Sequence, residues 1–90
     1  MDRDDIKNVV LKYLARAVDE IDPETVDTSL SMKDLGASSL DIVEVVSSTM
    51  REIRVKVPRA ELNKLTNVDA LVDLLHRRAL AKAEASPPAR

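Results

Sequence analysis

The sequence predicts an all-α fold: a four-helix bundle of three longer helices and one short helix, with a long loop after the first helix. Three observations carry this. Apolar residues recur at helical spacing in three separate stretches. The one run that alternates charged and apolar residues, Arg54-Val55-Lys56-Val57, meets Pro58 at once and is too short for a sheet. The connections between the later elements are short, which favours a compact antiparallel bundle.

The first helix is expected from about Asp4 to about Val18. Ile6, Val9, Val10, Tyr13, Leu14 and Val18 make one apolar stripe. Asp2, Asp4 and Asp5 suit its N-terminal turn. Pro23 disfavours helix at Asp22 and ends it.

Residues 21–37 read as a long connection, with Val26, Leu30, Met32 and Leu35 expected to pin it to the core. A loop of this length in a small domain is usually functional or packed on its own side chains. The only glycine, Gly36, lies at its end and points to a positive φ or a close approach.

The second helix starts at Ser38 or Ser39 and runs to about Ile53, with Ser38-x-x-Asp41 as a capping box. Ile42, Val43, Val46, Met50 and Ile53 are its expected buried stripe, and Leu40 and Val45 fall beside it. Leu40 is open to two readings, a partner contact or the edge of the core. A short helical turn is expected over 59–64, with Leu62 and Leu65 pointing in. Thr66-x-x-Asp69 reads as a second capping box opening the last helix, whose Val68, Leu71, Val72, Leu75 and Ala79 are spaced for burial. Residues 1–83 make one domain and 84–90 a disordered tail.

Composition narrows the function. Of 90 residues 44% are hydrophobic, enough for a core, yet Tyr13 is the only aromatic. There is no cysteine, so no disulfide and no thiolate nucleophile or ligand. No apolar run approaches the ~20 residues of a membrane span, and Met-Asp-Arg-Asp-Asp is unlike a signal peptide. We therefore expect a cytoplasmic monomer that does not engage membranes. The net charge of −2 hides a split: residues 1–50 hold 11 acids and 5 bases, residues 51–90 hold 5 acids and 9 bases. Arg51, Arg54, Lys56 and Arg59 form a basic patch, but stacking aromatics are absent, so nucleic acid is not expected as a partner.

Catalysis by the chain alone finds no residues. A serine nucleophile needs a base within reach, and the one histidine, His76, lies in His76-Arg77-Arg78, a solvated setting. One histidine without cysteine makes a zinc site improbable. Asp4-Asp5 and Asp19-Glu20 lack the apolar pocket that tunes a general acid. A single glycine leaves no Gly-rich phosphate loop.

Within Asp-Leu-Gly-Ala-Ser-Ser-Leu-Asp (34–41), Ser39 sits at a helix start, where outward N–H groups and the dipole favour an anion. With no base to activate it, this serine reads as a residue that is modified. On its residues alone, the plainer reading of Ser38 and Ser39 as helix caps and nothing more is preferred.

A resemblance separates these readings. Asp-Leu-Gly-Ala-Ser-Ser-Leu-Asp-x-Val-Glu resembles the prosthetic-group site of acyl carrier proteins, whose pattern is Leu-Gly-x-Asp-Ser-Leu-x. The order of helices, the Val-Lys-Val-Pro segment and the following Leu-Asn-Lys-Leu-Thr-Asn-Val-x-x-Leu-Val-Asp-Leu-Leu are also similar to that family. The resemblance covers nearly the whole chain. It implies that Ser39 receives 4′-phosphopantetheine from coenzyme A through a phosphopantetheinyl transferase, and that the arm carries acyl groups as thioesters. The chain would then be a non-catalytic substrate of acyltransferases, ketosynthases or related synthases.

The resemblance further implies that partner enzymes read the second helix, with Leu40, Asp41 and Glu44 matching the contact pattern and Ser38 standing where the family usually has Asp. Met50-Arg51-Glu52 departs from the consecutive acids of many members. That departure favours polyketide or related secondary metabolism over housekeeping fatty-acid synthesis. Val46-x-x-x-Met50 followed by Val-Lys-Val-Pro is similar to stand-alone carriers that donate an acyl unit in polyketide β-branching. The rival from another class is an unmodified helical interaction domain that keeps the carrier fold.

Overall fold

The computed structural model describes residues 2–62 and 66–85, with side chains as far as residue 82. Four helices follow in order: α1 (Arg3–Ala17), α2 (Ser39–Ile53), the short α3 (Arg59–Leu62) and α4 (Val68–Ala85). No strand occurs among the described residues. Of the expected tail at 84–90, residues 84 and 85 belong to α4 and the rest lie outside the described residues, as does the expected inward Leu65.

Each long helix starts with a side chain that answers its orphan N–H groups. Asp2 caps α1: its carboxylate accepts from the Asp5 N–H at 2.9 Å, and the Asp5 carboxylate accepts from the Asp2 N–H at 3.3 Å. Ser38 and Asp41 make the same reciprocal pair at α2. At α4 the cap is Asn67, whose Oδ1 accepts from the Ala70 N–H at 2.7 Å. This corrects the expected Thr66 capping box. The Asp69 N–H that such a box needs is already taken by the Thr28 carbonyl at 2.9 Å.

That last bond belongs to a junction. The Leu30 carbonyl accepts from the Val68 N–H at 3.0 Å, so two carbonyls of the long loop meet the first two donors of α4. Short turns brace the rest of the loop. Asp22 and Asp27 each bond the N–H two residues on, and Ser31 Oγ accepts from the Asp34 N–H. Val26, Met32 and Leu35 pack against the core as expected, while Leu30 is 40% exposed and contributes its carbonyl instead.

Gly36 has φ +103°. A Cβ there would meet only Val18 Cγ1 at 3.6 Å, an ordinary contact. Of the two sequence readings, the positive φ is therefore the reason for glycine. Its turn ends with the Ala37 N–H on the Met32 carbonyl at 2.9 Å, and buried Ala37 delivers the chain to Ser38.

The core is aliphatic. α1 packs on both α2 and α4, and Ile6, Val10, Leu14, Val45, Val72 and Leu75 are among its fully enclosed side chains. Two residues outside the expected stripes, Leu11 and Leu74, are buried as well. Expected Tyr13 is only half-buried; its ring lies at the rim, where its hydroxyl donates to Glu52 at 2.6 Å.

In α2 the buried arc is rotated from the expected one. Val45 is fully buried and Val43 is 51% exposed, the reverse of the reading from spacing. Val45, Val46 and Thr49 face the core, and Ile42, Met50 and Ile53 flank them. The helix ends at Arg54 in the left-handed region (φ 59°, ψ 43°), and the N–H groups of Arg54 and Val55 both turn back to the Met50 carbonyl. This strained cap is braced by Lys82 Nζ, which donates to the Arg54 carbonyl.

Thr49 Oγ1 is fully enclosed and has no hydrogen-bond partner. A buried unpaired hydroxyl costs about 1–3 kcal/mol. Thr49→Val keeps the shape and removes the hydroxyl, so it should stabilise by about 1 kcal/mol, seen as a thermal midpoint raised by roughly 4–8 °C for a domain of this size. A lowered midpoint contradicts the burial.

Glu52 accepts from both Lys12 Nζ and Tyr13 Oη at 2.6 Å, tying α2 to α1. The Lys12 bond first, then the Tyr13 bond, hold the Glu52 carboxyl below its ordinary range; the same bond to Glu52 raises the Tyr13 hydroxyl. A depressed carboxyl stabilises above its unfolded pKa and loses that as pH falls through the folded value. A raised phenol stabilises below its unfolded pKa and loses that as pH rises past it. The thermal midpoint should therefore fall below about pH 4 and again above about pH 10, and Glu52→Gln should flatten the acid limb in scans from pH 7 to 3.

Candidate functional site

The N-terminus of α2 gathers the residues singled out by sequence. Ser38, Ser39 and Leu40 are exposed, Asp41 is half-buried, and Glu44 is exposed one turn on. The two adjacent serines differ in employment. Ser38 Oγ accepts from the Asp41 N–H at 3.1 Å, and Asp41 Oδ2 accepts from the Ser38 N–H at 3.0 Å. The Ser38 hydroxyl is thus spent on holding the helix start. The Ser39 hydroxyl, at the first helical position, bonds to no described residue.

The backbone is likewise divided. The Ile42 N–H closes the first helical turn on the Ser38 carbonyl at 2.9 Å, and the Asp41 N–H is held by Ser38. The N–H groups of Ser39 and Leu40 have no acceptor among the described residues. Two open donors at the positive end of a helix dipole make an anion site against the Ser39 hydroxyl. The Asp41 carboxylate, committed to the cap, is the one negative charge in that first turn.

Leu40 is 80% exposed, so it does not belong to the edge of the core. Val43, expected inside, joins it on the surface. The residue missed from sequence is therefore Val43; its signal was the spacing of three and four from Leu40 and Ser39.

Ser39, Val43, Val46 and Met50 follow i, i+4, i+7, i+11 spacing and lie in one row along α2. The last three line an open groove of about 440 Å³ between α2, the loop and α3, with Met32, Val57 and Leu62 on its other walls. This volume lies within the range of small-molecule sites. Ser39 thus stands at the head of an apolar groove. No cluster of three or more metal-ligating side chains occurs among the described residues. None of their helices is long and apolar enough to cross a membrane.

This arrangement can hold a phosphate ester and shelter an apolar chain, and it offers no base to the serine. The family model for the phosphopantetheine attachment site matches residues 4–75. The chain belongs to the acyl carrier protein family. It is 35% identical over 75 residues to the acyl carrier protein of Campylobacter curvus, covering 82% of this chain and 91% of that one. It is 26% identical over 76 residues to the polyketide biosynthesis acyl-carrier-protein AcpK of Bacillus subtilis, covering 84% and 93%. A chain in the crystal structure of the curacin biosynthetic pathway HMG synthase in complex with acetyl donor-ACP superposes with a TM-score of 0.75 at 25% identity, over 86% of this carrier and 99% of that chain.

The four-helix carrier fold expected from sequence is the fold observed. The cofactor of this carrier is covalently attached 4′-phosphopantetheine. The α2 N-terminus fits it, with one exposed unbonded hydroxyl and two unanswered N–H donors placed for the phosphodiester.

The division of labour between the serines is measurable. Ser38→Ala should destabilise the fold by about 1 kcal/mol through loss of the cap. Ser39→Ala should change stability by less than about 0.5 kcal/mol. Urea unfolding of the two apo variants checks this, and equal losses would contradict the assignment of the cap to Ser38.

Proposed function

We propose that Ser39 bears the 4′-phosphopantetheine arm and that the chain, with residues 1–83 as its carrier unit, is a discrete non-catalytic donor carrier in polyketide or related biosynthesis. The observation that supports Ser39 is its free, exposed hydroxyl beside a serine committed to the cap. A phosphopantetheinyl transferase supplies the missing base: it takes the Ser39 proton as Oγ attacks the pantetheine-side phosphorus of coenzyme A, the pyrophosphate P–O bond breaks, and adenosine 3′,5′-bisphosphate leaves. The arm brings the thiol that a cysteine-free chain lacks.

The chain's own part is positional. The Ser39 and Leu40 N–H groups hold the phosphodiester at the helix end. The row from Val43 to Met50 offers the acyl chain an apolar wall. Leu40, Asp41, Glu44 and Ser38 make the surface that acyltransferases, ketosynthases and related synthases meet. The donor role is supported by the likeness to a carrier described as an acetyl donor in complex with its synthase and to a polyketide carrier of Bacillus. We place the carrier in the cytoplasm as a monomer.

A general fatty-acid carrier is the second reading, favoured by the higher identity to the Campylobacter acyl carrier proteins. Arg51, on the exposed face of α2 where many carriers have acid, speaks against it.

Co-expression with a broad-specificity phosphopantetheinyl transferase should raise the intact mass by one arm in the wild type and not in Ser39→Ala. An adduct that survives Ser39→Ala transfers the site to Ser38. No adduct on the wild type leaves an unmodified interaction domain. The acyl-loaded protein should then serve polyketide-pathway acyltransferases and ketosynthases; service to fatty-acid synthase partners alone selects the second reading.

A further inference from the structure

The far end of α2 carries a feature that the attachment site does not use. Arg51, Arg54, Lys56 and Arg59 are all exposed, and none of their side chains forms an ion pair with a described residue. Two acids near it in sequence, Glu52 and Glu61, are engaged elsewhere. Glu52 points to α1, held by Lys12 and Tyr13, and Glu61 pairs with Arg78 of α4. Beside the cations lie two adjoining shallow depressions of about 440 and 460 Å³, floored in part by Val55 and Met50 and edged by Arg51, Arg54 and Lys56. The surface there is a cationic rim around apolar patches.

The opposite end is acidic, with Asp34 exposed, Asp41 in the first turn and Glu44 one turn on. Leu40, Glu44 and Arg51 follow i, i+4, i+11 spacing and are all exposed, so they share one outward face. Glu44 and Arg51 are seven residues apart, about 10 Å along the axis. Any protein that lies on this face to reach Ser39 meets acid first and base within two turns.

We propose that the cationic end of α2 is a second docking point, for an acidic patch on the enzyme that takes the acyl group, and that the two signs together set the direction in which that enzyme lies along α2. The inference rests on Ser39 as the loaded residue. Opposite charge at both ends attracts one orientation, and the reversed orientation places like charges together at both ends, which is costly. A continuous polyanion such as nucleic acid is disfavoured, because it would run from the cationic rim onto Asp41 and Glu44. The surface therefore selects a partner with basic and acidic patches in that order.

A two-sign peptide tests this directly. The probe is a 16-residue peptide with four lysines at one end and four glutamates at the other (a design choice of length, about 24 Å if helical). It is titrated into 15N-labelled phosphopantetheinylated protein with a nitroxide at either end. The glutamate-end label should broaden amides over 51–59, and the lysine-end label those over 34–44. Arg51→Glu/Arg59→Glu should weaken binding roughly tenfold and erase the end preference, while 0.5 M salt weakens the wild type toward the variant. Broadening that ignores which end is labelled, no binding of the peptide, or tighter binding of a dT12 oligonucleotide each overturns the proposal. Intact mass of the same samples reads the arm on Ser39 separately, so failure of the carrier reading is told apart from failure of the docking surface.

Discussion

Two backbone hydrogen bonds, from the Val68 N–H to the Leu30 carbonyl and from the Asp69 N–H to the Thr28 carbonyl, hold the rest of the molecule in register. They answer the first two donors of α4, which have no partner within the helix. In the same step they tether the middle of the long loop. The tethered loop leads into the turn at 31–37, then to Gly36 with its positive φ, then to the cap at Ser38. The position of Ser39 is thus set by contacts made far from it in sequence. Val26, Met32 and Leu35 packed on the core, with the turns at Asp22, Asp27 and Ser31, order the rest of the connection.

The cap commits one of two adjacent serines and leaves the other hydroxyl out of it. Ser38 and Asp41 satisfy each other, so the helix start does not need the Ser39 hydroxyl. Serine at the usual Asp position of the carrier pattern still caps the helix but brings no charge. Asp41 is then the only acid within the first turn, and its carboxylate is turned to the Ser38 N–H. The anion site keeps two open N–H donors and little opposing charge.

The groove and the charged face share one helix but occupy different arcs. Core residues Val45, Val46 and Thr49 define the buried arc. Val43, Val46 and Met50 border the groove, and Leu40, Glu44 and Arg51 lie outward. Ser39 stands at the head of the groove arc and next to the outward arc, so the proposed cargo and partner surfaces lie on two sides of α2. Tyr13, Lys12 and Glu52 stitch α2 to α1 on yet another side, which leaves both arcs open.

Sequence alone determined the helix order and the approximate helix bounds and singled out the candidate serine, because periodicity, capping residues and the Leu-Gly-x-x-Ser spacing are local signals read over a few residues. It also anticipated the Ser38–Asp41 box, a pairing three residues apart. Tertiary structure alone decided the rest. Val43 and Val45 are chemically identical, so only the packing of α1 could assign one to the core and the other to the surface. Thr66 and Asn67 are both good caps, and the choice fell to Asn67 because a loop carbonyl forty-one residues earlier had claimed the Asp69 N–H. Glu52 reads as a surface acid in sequence and becomes the tie between two helices only when Lys12 and Tyr13 arrive beside it. Local chemistry names the candidates, and contacts between distant segments select among equals.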